Sequence, residues 1–352
     1  MDPARPAPCD GMGIPRCLAV QSRRAACGTG YGEHAMNCVI ANVITHGARV
    51  REFHLRRADG QSLPAWRAGD HVVLSFASAD GRRFENRYSL VGQPGDAEVY
   101  RIAVQREPRG CGGSVCLHDE FHAGSAIDVA GPCSSFPLGS AHVPGARVLL
   151  VAGGIGITPL VSMAHTLSMQ GAAFTLHYLA RTQADLFLLD ELRAIPGGEV
   201  ITHLSQGSGL ADLDALLGAF AEGDSVYACG PVALLQALAD AGRRQGWPQD
   251  ALRYESFGSR AEMSDGPLTV ELALSGITVE VAPGTPILDA LIAADAFVSY
   301  DCRRGECGNC YTPVLAGTPL HRDVCLTPAM RGAGMCTCVS WAAAPGRLVL
   351  EI

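Results

Sequence analysis

In the first third of the chain, apolar and polar positions alternate over short runs. Between Asn37 and about Pro137, the stretches 38–45, 50–56, 71–76, 87–91 and 99–105 each last a few residues, with Asp59-Gly60 and Asp80-Gly81 between some of them. Brief alternating runs punctuated by turn dipeptides predict antiparallel strands, and this number of them predicts a β-barrel. From Arg147 the period changes. Apolar run 148–152, helical stretch 159–169 and apolar run 174–179 predict a βαβ unit. Strand 200–204, a helix around 213–220, strand 226–229 and helix 231–244 extend it into an open parallel sheet with helices on its faces.

Past Leu268 the pattern returns to β. Stretches 268–274 and 278–281 read as a hairpin about Ser275-Gly276. A helix follows, with Thr285 as N-cap and Pro286 at its first position, carrying Ile287, Leu288, Leu291 and Ile292. Strands 311–315 and 348–352 complete a small sheet crossed by one helix. The expected organisation is a leader over 1–35, a barrel over 36–140, a parallel-sheet unit over 141–258 and a small β unit over 265–352. The leader is rich in Pro, Gly, Arg and Cys without a steady period, so disorder is expected there. Arg23 and Arg24 interrupt its only mildly apolar run, which argues against a secretory signal.

Composition narrows the partners. A formal charge of −8 over 352 residues argues against nucleic acid or an anionic membrane. Fourteen cysteines in so long a chain point to a reducing compartment, the cytoplasm, where thiols stay free for metal. Residues 148–180 contain no Asp, Glu, Lys or Arg, long enough for a membrane span. Gly153-Gly154-Ile155-Gly156 and Pro159 break that stretch, so a buried strand, loop, helix and strand are expected instead.

The candidate chemistry centres on Cys302, Cys307 and Cys310, at C-x4-C-x2-C, the spacing of three thiolates of a plant-type [2Fe–2S] cluster. Gly305 and Gly308 let the loop curl closely around the sulfurs. The fourth thiolate is expected from Cys338, with twenty-seven residues between it and Cys310, where the apolar stretch at Val339 can pin it. Cys336 has the same strand parity and is its rival; Cys325 leaves only fourteen intervening residues. A zinc site would call for a second C-x2-C pair, which the chain lacks.

Three further motifs carry chemistry. Arg87, Tyr88 and Ser89 lie in a row on a barrel strand and offer a cation for a flavin phosphate, a wall for its ring and a hydroxyl for its N5. A Gly-rich loop, 109–118, opens a short helix whose free N–H groups suit a phosphate. Ala152-Gly153-Gly154-Ile155-Gly156-Ile157-Thr158-Pro159 follows a strand and opens a helix, as a dinucleotide turn requires, although Pro159 stands where a third glycine would be. Cys229-Gly230-Pro231 ends another parallel strand at the edge where such sheets bind ligands.

In this order, followed by Glu255-Ser256-Phe257-Gly258 and the cysteine loop, the motifs resemble the phthalate dioxygenase reductase family, close to vanillate O-demethylase reductase subunits, over residues 38–352. The resemblance implies a multidomain β and α/β protein: an antiparallel flavin-binding β-barrel, a parallel-sheet nucleotide-binding domain and a C-terminal β-grasp ferredoxin. It implies FMN, NADH and one [2Fe–2S] cluster. Arg87 and the Gly112-Gly113-Ser114 loop would meet the flavin phosphate, Tyr88 and Ser89 the ring, and Ala103, Val104 and Gln105 the ribityl chain. Gly154, Gly156, Thr158, Cys229, Gly230 and Pro231 would hold the nicotinamide nucleotide. Phe257 would lie on the flavin face with Glu255 beside it, which makes Ser89, Cys229, Glu255 and Phe257 the catalytic candidates. The span from Leu90 to Ser114 has no room for the adenosine-binding insertion of FAD enzymes. Arg181, followed by Thr182 rather than an acid, leaves NADPH open.

The implied function is the reductase component of a multicomponent, Rieske-type aromatic-ring or O-demethylating oxygenase, an NADH-dependent electron-transfer enzyme whose partner is a terminal oxygenase. The alternatives are a reductase partner of a cytochrome P450 and a self-sufficient reductase of small acceptors. Arg303 and Arg304 are expected to touch an acidic patch on the partner or to raise the cluster potential.

Overall fold

The computed structural model describes residues 35–108, 110–139, 143, 145–257, 261–262, 264–344 and 346–352. Residues 1–34, which hold nearly all of the expected leader, Arg109 of the Gly-rich loop and Gly258 lie outside the described residues.

Strands β1 (Met36–His46), β2 (Val50–Arg57), β3 (Asp70–Ala77), β4 (Arg83–Val91), β5 (Tyr100–Gln105) and β6 (Ala126–Ser134) close an antiparallel barrel in the order β1-β2-β5-β4-β3-β6. Its sixth strand was not expected from the sequence: after Val129 the run passes through Ala130, Gly131 and Pro132, which blurs the alternation. β6 pairs with both β1 and β3 and thereby closes the ring. Ile40, Phe53, Leu55, Leu74, Tyr100 and Ile102 fill the interior. Burying side chains of this size is worth about 1.5–3 kcal/mol each. On the outer side, Val91 and Ala103 join Ala68 and Phe136 in the core of the second unit, so barrel and parallel sheet share one apolar seam.

In that unit β7 (Val148–Gly153), β8 (Phe174–Ala180), β9 (Gly198–Leu204), β10 (Ser225–Gly230) and β11 (Leu252–Ser256) form a parallel sheet in the order β11-β10-β7-β8-β9. β11 was read in sequence only as a motif. The first helix runs over Ile157–Met169, two residues earlier than expected, from a 3-10 turn at Gly154–Gly156. The helix expected to reach Phe220 stops at Leu217, because Gly218 leaves helical geometry at φ 59°, ψ −178°. No helix among the described residues is long and apolar enough to cross a membrane.

The third unit contains β12 (Leu268–Leu272), β13 (Ile277–Val281), β14 (Tyr311–Ala316), β15 (Pro319–Leu320), β16 (Gly334–Cys336), β17 (Trp341–Ala342) and β18 (Gly346–Leu350). Five of these form a mixed sheet, β13-β12-β18-β14-β16, with β12 and β18 parallel. Helix Ile287–Ala293 packs Ile287 and Leu291 into its core, giving a β-grasp. Pro286 caps that helix from outside, at ψ 138°, one residue later than expected.

Charged and polar contacts fix the units to one another. Arg101 on β5 bridges Glu52 of the barrel (2.7 Å) and Glu191 of the sheet unit (2.9 Å). Gln236 donates to the Asp323 carbonyl (2.7 Å), and Val324 packs among the apolar residues of the sheet unit.

Candidate functional site

The three units meet where β6, β11 and the cysteine loop converge. A crevice of about 620 Å³ opens there, lined in part by Ser135, Phe136, Arg304, Glu306, Cys302 and Cys307.

The cysteine loop brings the expected thiols together. Cys310 Sγ lies 3.1 Å from Cys338 Sγ, and Cys307 is hydrogen-bonded to Cys302. The backbone N–H groups of Arg304 and Asn309 point at Cys302 Sγ (3.4 Å) and Cys307 Sγ (3.5 Å). Cys338 is not held by a following apolar strand. It sits in a turn after β16, where Ser340 N–H donates to the Cys336 carbonyl (3.0 Å). That turn cancels the parity it shared with Cys336. Cys338 faces Cys310, Cys302 and the Gly305 N–H, all in the loop, whereas Cys336 contacts Cys310 and, at 3.8 Å, Cys325 outside it. Among the described residues no three His, Cys, Asp or Glu side chains converge as a single metal ion would need. A two-iron cluster spreads four thiolates around a larger body, and four facing thiols are the donor set it takes.

On the barrel, alternation along β4 divides the expected flavin row. Arg87 and Ser89 share one face, and Tyr88 turns to the other with Asn86, whose amide donates to the Tyr88 hydroxyl (2.9 Å). Asn86 also lies against the Gly-rich loop: a Cβ at Gly113 would come within 2.6 Å of Asn86 Nδ2. Arg82 reaches the same loop, donating to the Cys111 carbonyl (2.8 Å). Asn86 and Arg82 thus line this cradle, two residues to which the sequence reading gave no role. The helix Gly113–Glu120 starts there, with Ser114 Oγ accepting from the Glu107 N–H (3.0 Å). On β5, Val104 points into the barrel core, and Ala103 and Gln105 lie on the other face.

Ser89 is 5% exposed and pairs across the sheet with His71. Burial, and then the charges of Arg87 and Arg304, bring His71 down to about 4, so its ring is neutral. Ser135 Oγ lies 3.2 Å from His71 Nδ1. Glu255, paired with Cys229 on the neighbouring strand, is 3% exposed, and its Oε2 has no hydrogen-bond partner. Burial pushes Glu255 up to about 8, with the charge of Glu306 adding and that of Arg304 opposing. Burial, then Glu255, also raises Cys229 and keeps it a thiol. Phe257, just past β11, is 45% exposed.

The dinucleotide turn is built against β10. A Cβ at Gly156 would sit 2.2 Å from the Cys229 carbonyl oxygen, so only glycine lets turn and strand meet. Thr158 is 2% exposed and spends its hydroxyl on the Ile155 carbonyl (3.1 Å), so the open surface of the turn is backbone. After β8, Asp185 accepts from both the N–H (3.0 Å) and the hydroxyl (2.8 Å) of Thr182. Asp185 thus closes a capping turn three residues beyond Thr182, a Thr-x-x-Asp signal legible in sequence.

Arg303 and Arg304 both turn inward. Arg303 pairs with Asp289 (3.3 Å) and lies over the Tyr300 ring (4.6 Å). Arg304 is 15% exposed and holds Glu306 (2.9 Å) and Ser135 (2.8 Å). Neither stands out from the loop as a cation waiting for an acidic partner.

Comparison with known proteins agrees with this geometry. Residues 270–343 match the 2Fe-2S iron-sulfur cluster binding domain family. A heme-dependent oxidative N-demethylase beta subunit of Ectopseudomonas mendocina (strain ymp) is 40% identical over 291 residues, 83% of this chain and 91% of that protein. A vanillate O-demethylase oxidoreductase of Pseudomonas sp. (strain HR199) is 35% identical over 278 residues, 78% of this chain and 86% of that one. The solved structure of phthalate dioxygenase reductase, described as modular for electron transfer from pyridine nucleotides to [2Fe–2S], superposes with a TM-score of 0.65. It is 32% identical and is matched over 91% of this chain and 98% of its own.

Proposed function

The chain belongs to the family of oxygenase reductase subunits that includes phthalate dioxygenase reductase, and on that premise we propose that it draws electrons from NADH through FMN to a [2Fe–2S] cluster and hands them singly to a separate oxygenase. The observation that carries this reading is the seating of the three-cysteine loop, with Cys338 facing it, where the barrel and the parallel sheet meet, through Arg304 on Ser135 and Glu306 on Ser256.

When bound, the flavin converts a hydride pair into single electrons and the cluster takes them one at a time. Cys302, Cys307, Cys310 and Cys338 would hold the iron. Asn86, Arg82 and the N–H groups of Gly112–Ser114 would hold the flavin phosphate, with Tyr88 and Phe257 at the ring and Ser89 offering its hydroxyl at N5. The backbone of Gly154–Gly156 and Gly230-Pro231 would receive the pyrophosphate and nicotinamide, and Asp185 the adenosine ribose, where an acid favours NADH over NADPH. Glu255, neutral at pH 7, and Cys229, a thiol, add no negative charge of their own beside the Arg304–Glu306 pair.

The net charge of −8 supports a protein acceptor over nucleic acid or an anionic membrane. Free thiols throughout the described chain support a reducing, cytoplasmic setting. The test is the anaerobic absorbance spectrum with and without NADH, followed by flavin extraction. FMN together with cluster bands that bleach on NADH addition is expected. A protein that stays colourless after reconstitution with iron, sulfide and flavin would end this reading.

The acceptor has two candidates. A Rieske-type oxygenase follows from the likeness to phthalate dioxygenase reductase and the vanillate enzyme. A haem-type oxygenase is favoured by the 40% identity to a subunit named as heme-dependent. Reduction of one purified component of each type under nitrogen decides between them.

A further inference from the structure

Arg304 stands between Cys302 and Cys307, yet its side chain gives its hydrogen bonds to Glu306 and Ser135. Its guanidinium spans three units. Nη1 donates to Ser135 Oγ (2.8 Å) just past β6 of the barrel and lies 3.7 Å from Glu255 Oε1 on β11 of the parallel sheet. Nε and Nη2 hold Glu306 Oε2 on its own loop, at 3.0 and 2.9 Å. Glu306 Oε1 in turn accepts the Ser256 N–H (2.6 Å) at the end of β11. The Arg304 side chain is 15% exposed and that of Glu255 4%, so these contacts are shielded from competing water. The guanidinium holds its donors in a fixed planar fork, whereas a lysine ammonium carries three rotatable donors on one atom at the end of a flexible stem.

We propose that Arg304 is the positioning residue that seats the cysteine loop on the barrel and the parallel sheet, and so governs how fast electrons pass from the flavin side to the cluster. The kinetic half of this proposal rests on the electron-relay reading above; the seating itself does not. A merely structural arginine would affect every step alike, whereas a positioning one separates two of them.

The test compares wild type, Arg304→Gln, Arg304→Lys, Ser135→Ala and the Arg304→Gln/Ser135→Ala double variant as iron-replete holoproteins. Hydrogen exchange reads the seating, at the Ser256 N–H and across residues 300–310. Anaerobic stopped flow with NADH reads flavin bleaching and cluster bleaching separately. In Arg304→Gln, exchange at the Ser256 N–H rises at least tenfold, cluster bleaching slows at least tenfold and flavin bleaching stays within twofold. Arg304→Lys recovers less than half of the lost rate. Ser135→Ala, which leaves the cysteine loop untouched, slows cluster bleaching less, and adding it to Arg304→Gln slows nothing further, because both changes remove one shared contact. Unchanged exchange with wild-type cluster bleaching in Arg304→Gln overturns the proposal, as does equal slowing of both phases. A wild-type protein with no flavin phase defeats the relay reading alone, and the exchange comparison still decides the seating.

Discussion

Glu255→Gln tests the electrostatics of the meeting point quantitatively. Glu255 is buried and rises from 4.5 to about 8, chiefly through burial. The folded state therefore keeps a proton that the unfolded chain releases above about pH 4.5. The stability linked to that proton is fully present below 4.5, is lost progressively as pH climbs to about 8, and then levels off. At 1.36 kcal/mol per pKa unit, the loss is on the order of 5 kcal/mol for the fully ionised side chain. Glutamine mimics the protonated acid in shape and cannot ionise. Urea unfolding of the two proteins in parallel, followed by tryptophan fluorescence from pH 5 to 9, isolates this one group. Near pH 5 the stabilities should agree closely; by pH 9 the variant should be the more stable by several kcal/mol. A difference that stays flat across this range, or that favours wild type at pH 9, would refute a neutral buried Glu255.

Cys338→Ser should abolish the visible iron–sulfur absorbance, and Cys336→Ser should keep it; the reverse pattern would move the fourth ligand to Cys336. Gly156→Ala drives a methyl group into the Cys229 carbonyl. It should cost about 1–3 kcal/mol of stability and weaken NADH binding in calorimetric titration, with the cluster spectrum intact. Asp185→Ala should narrow the preference for NADH over NADPH by about tenfold in kcat/KM, equivalent to about 1.4 kcal/mol; an unchanged ratio would free Asp185 of that role.

Much of the architecture was legible because it rests on local chemistry. The Cys302–Cys310 spacing, the glycines at 153–156 and the turn dipeptides of the barrel each act within a few residues. What was not legible depends on tertiary placement. β6 breaks its own alternation at Gly131-Pro132 and becomes a strand by filling the gap between β1 and β3. Strand parity puts Asn86 beside the Gly-rich loop, on the face of β4 opposite Arg87, a placement the sequence did not single out. The sequence could not show that the Thr158 hydroxyl donates to the Ile155 carbonyl of its own turn. Arg304 reads as a surface charge because its partners, Ser135 and Glu255, lie 169 residues away at the first and on a separate sheet at the second. For Cys338 the sequence could order the candidates but not foresee the turn that sets it apart from Cys336.

The placement of β18 has a consequence for biogenesis. This strand lies in the middle of the third sheet, parallel to β12 on one side and antiparallel to β14 on the other, yet it is the last of the five to leave the ribosome. The nascent cysteines at 302–310 therefore emerge before the sheet beneath them can close, since β12 and β14 have no direct pairing without it. The strands of the barrel and of the nucleotide sheet are complete earlier in the chain, whereas the sheet beneath the cysteine loop closes only with this last strand. A delay at that point would leave reactive thiols open to oxygen, which makes metal delivery, and not flavin uptake, the vulnerable moment in making the protein.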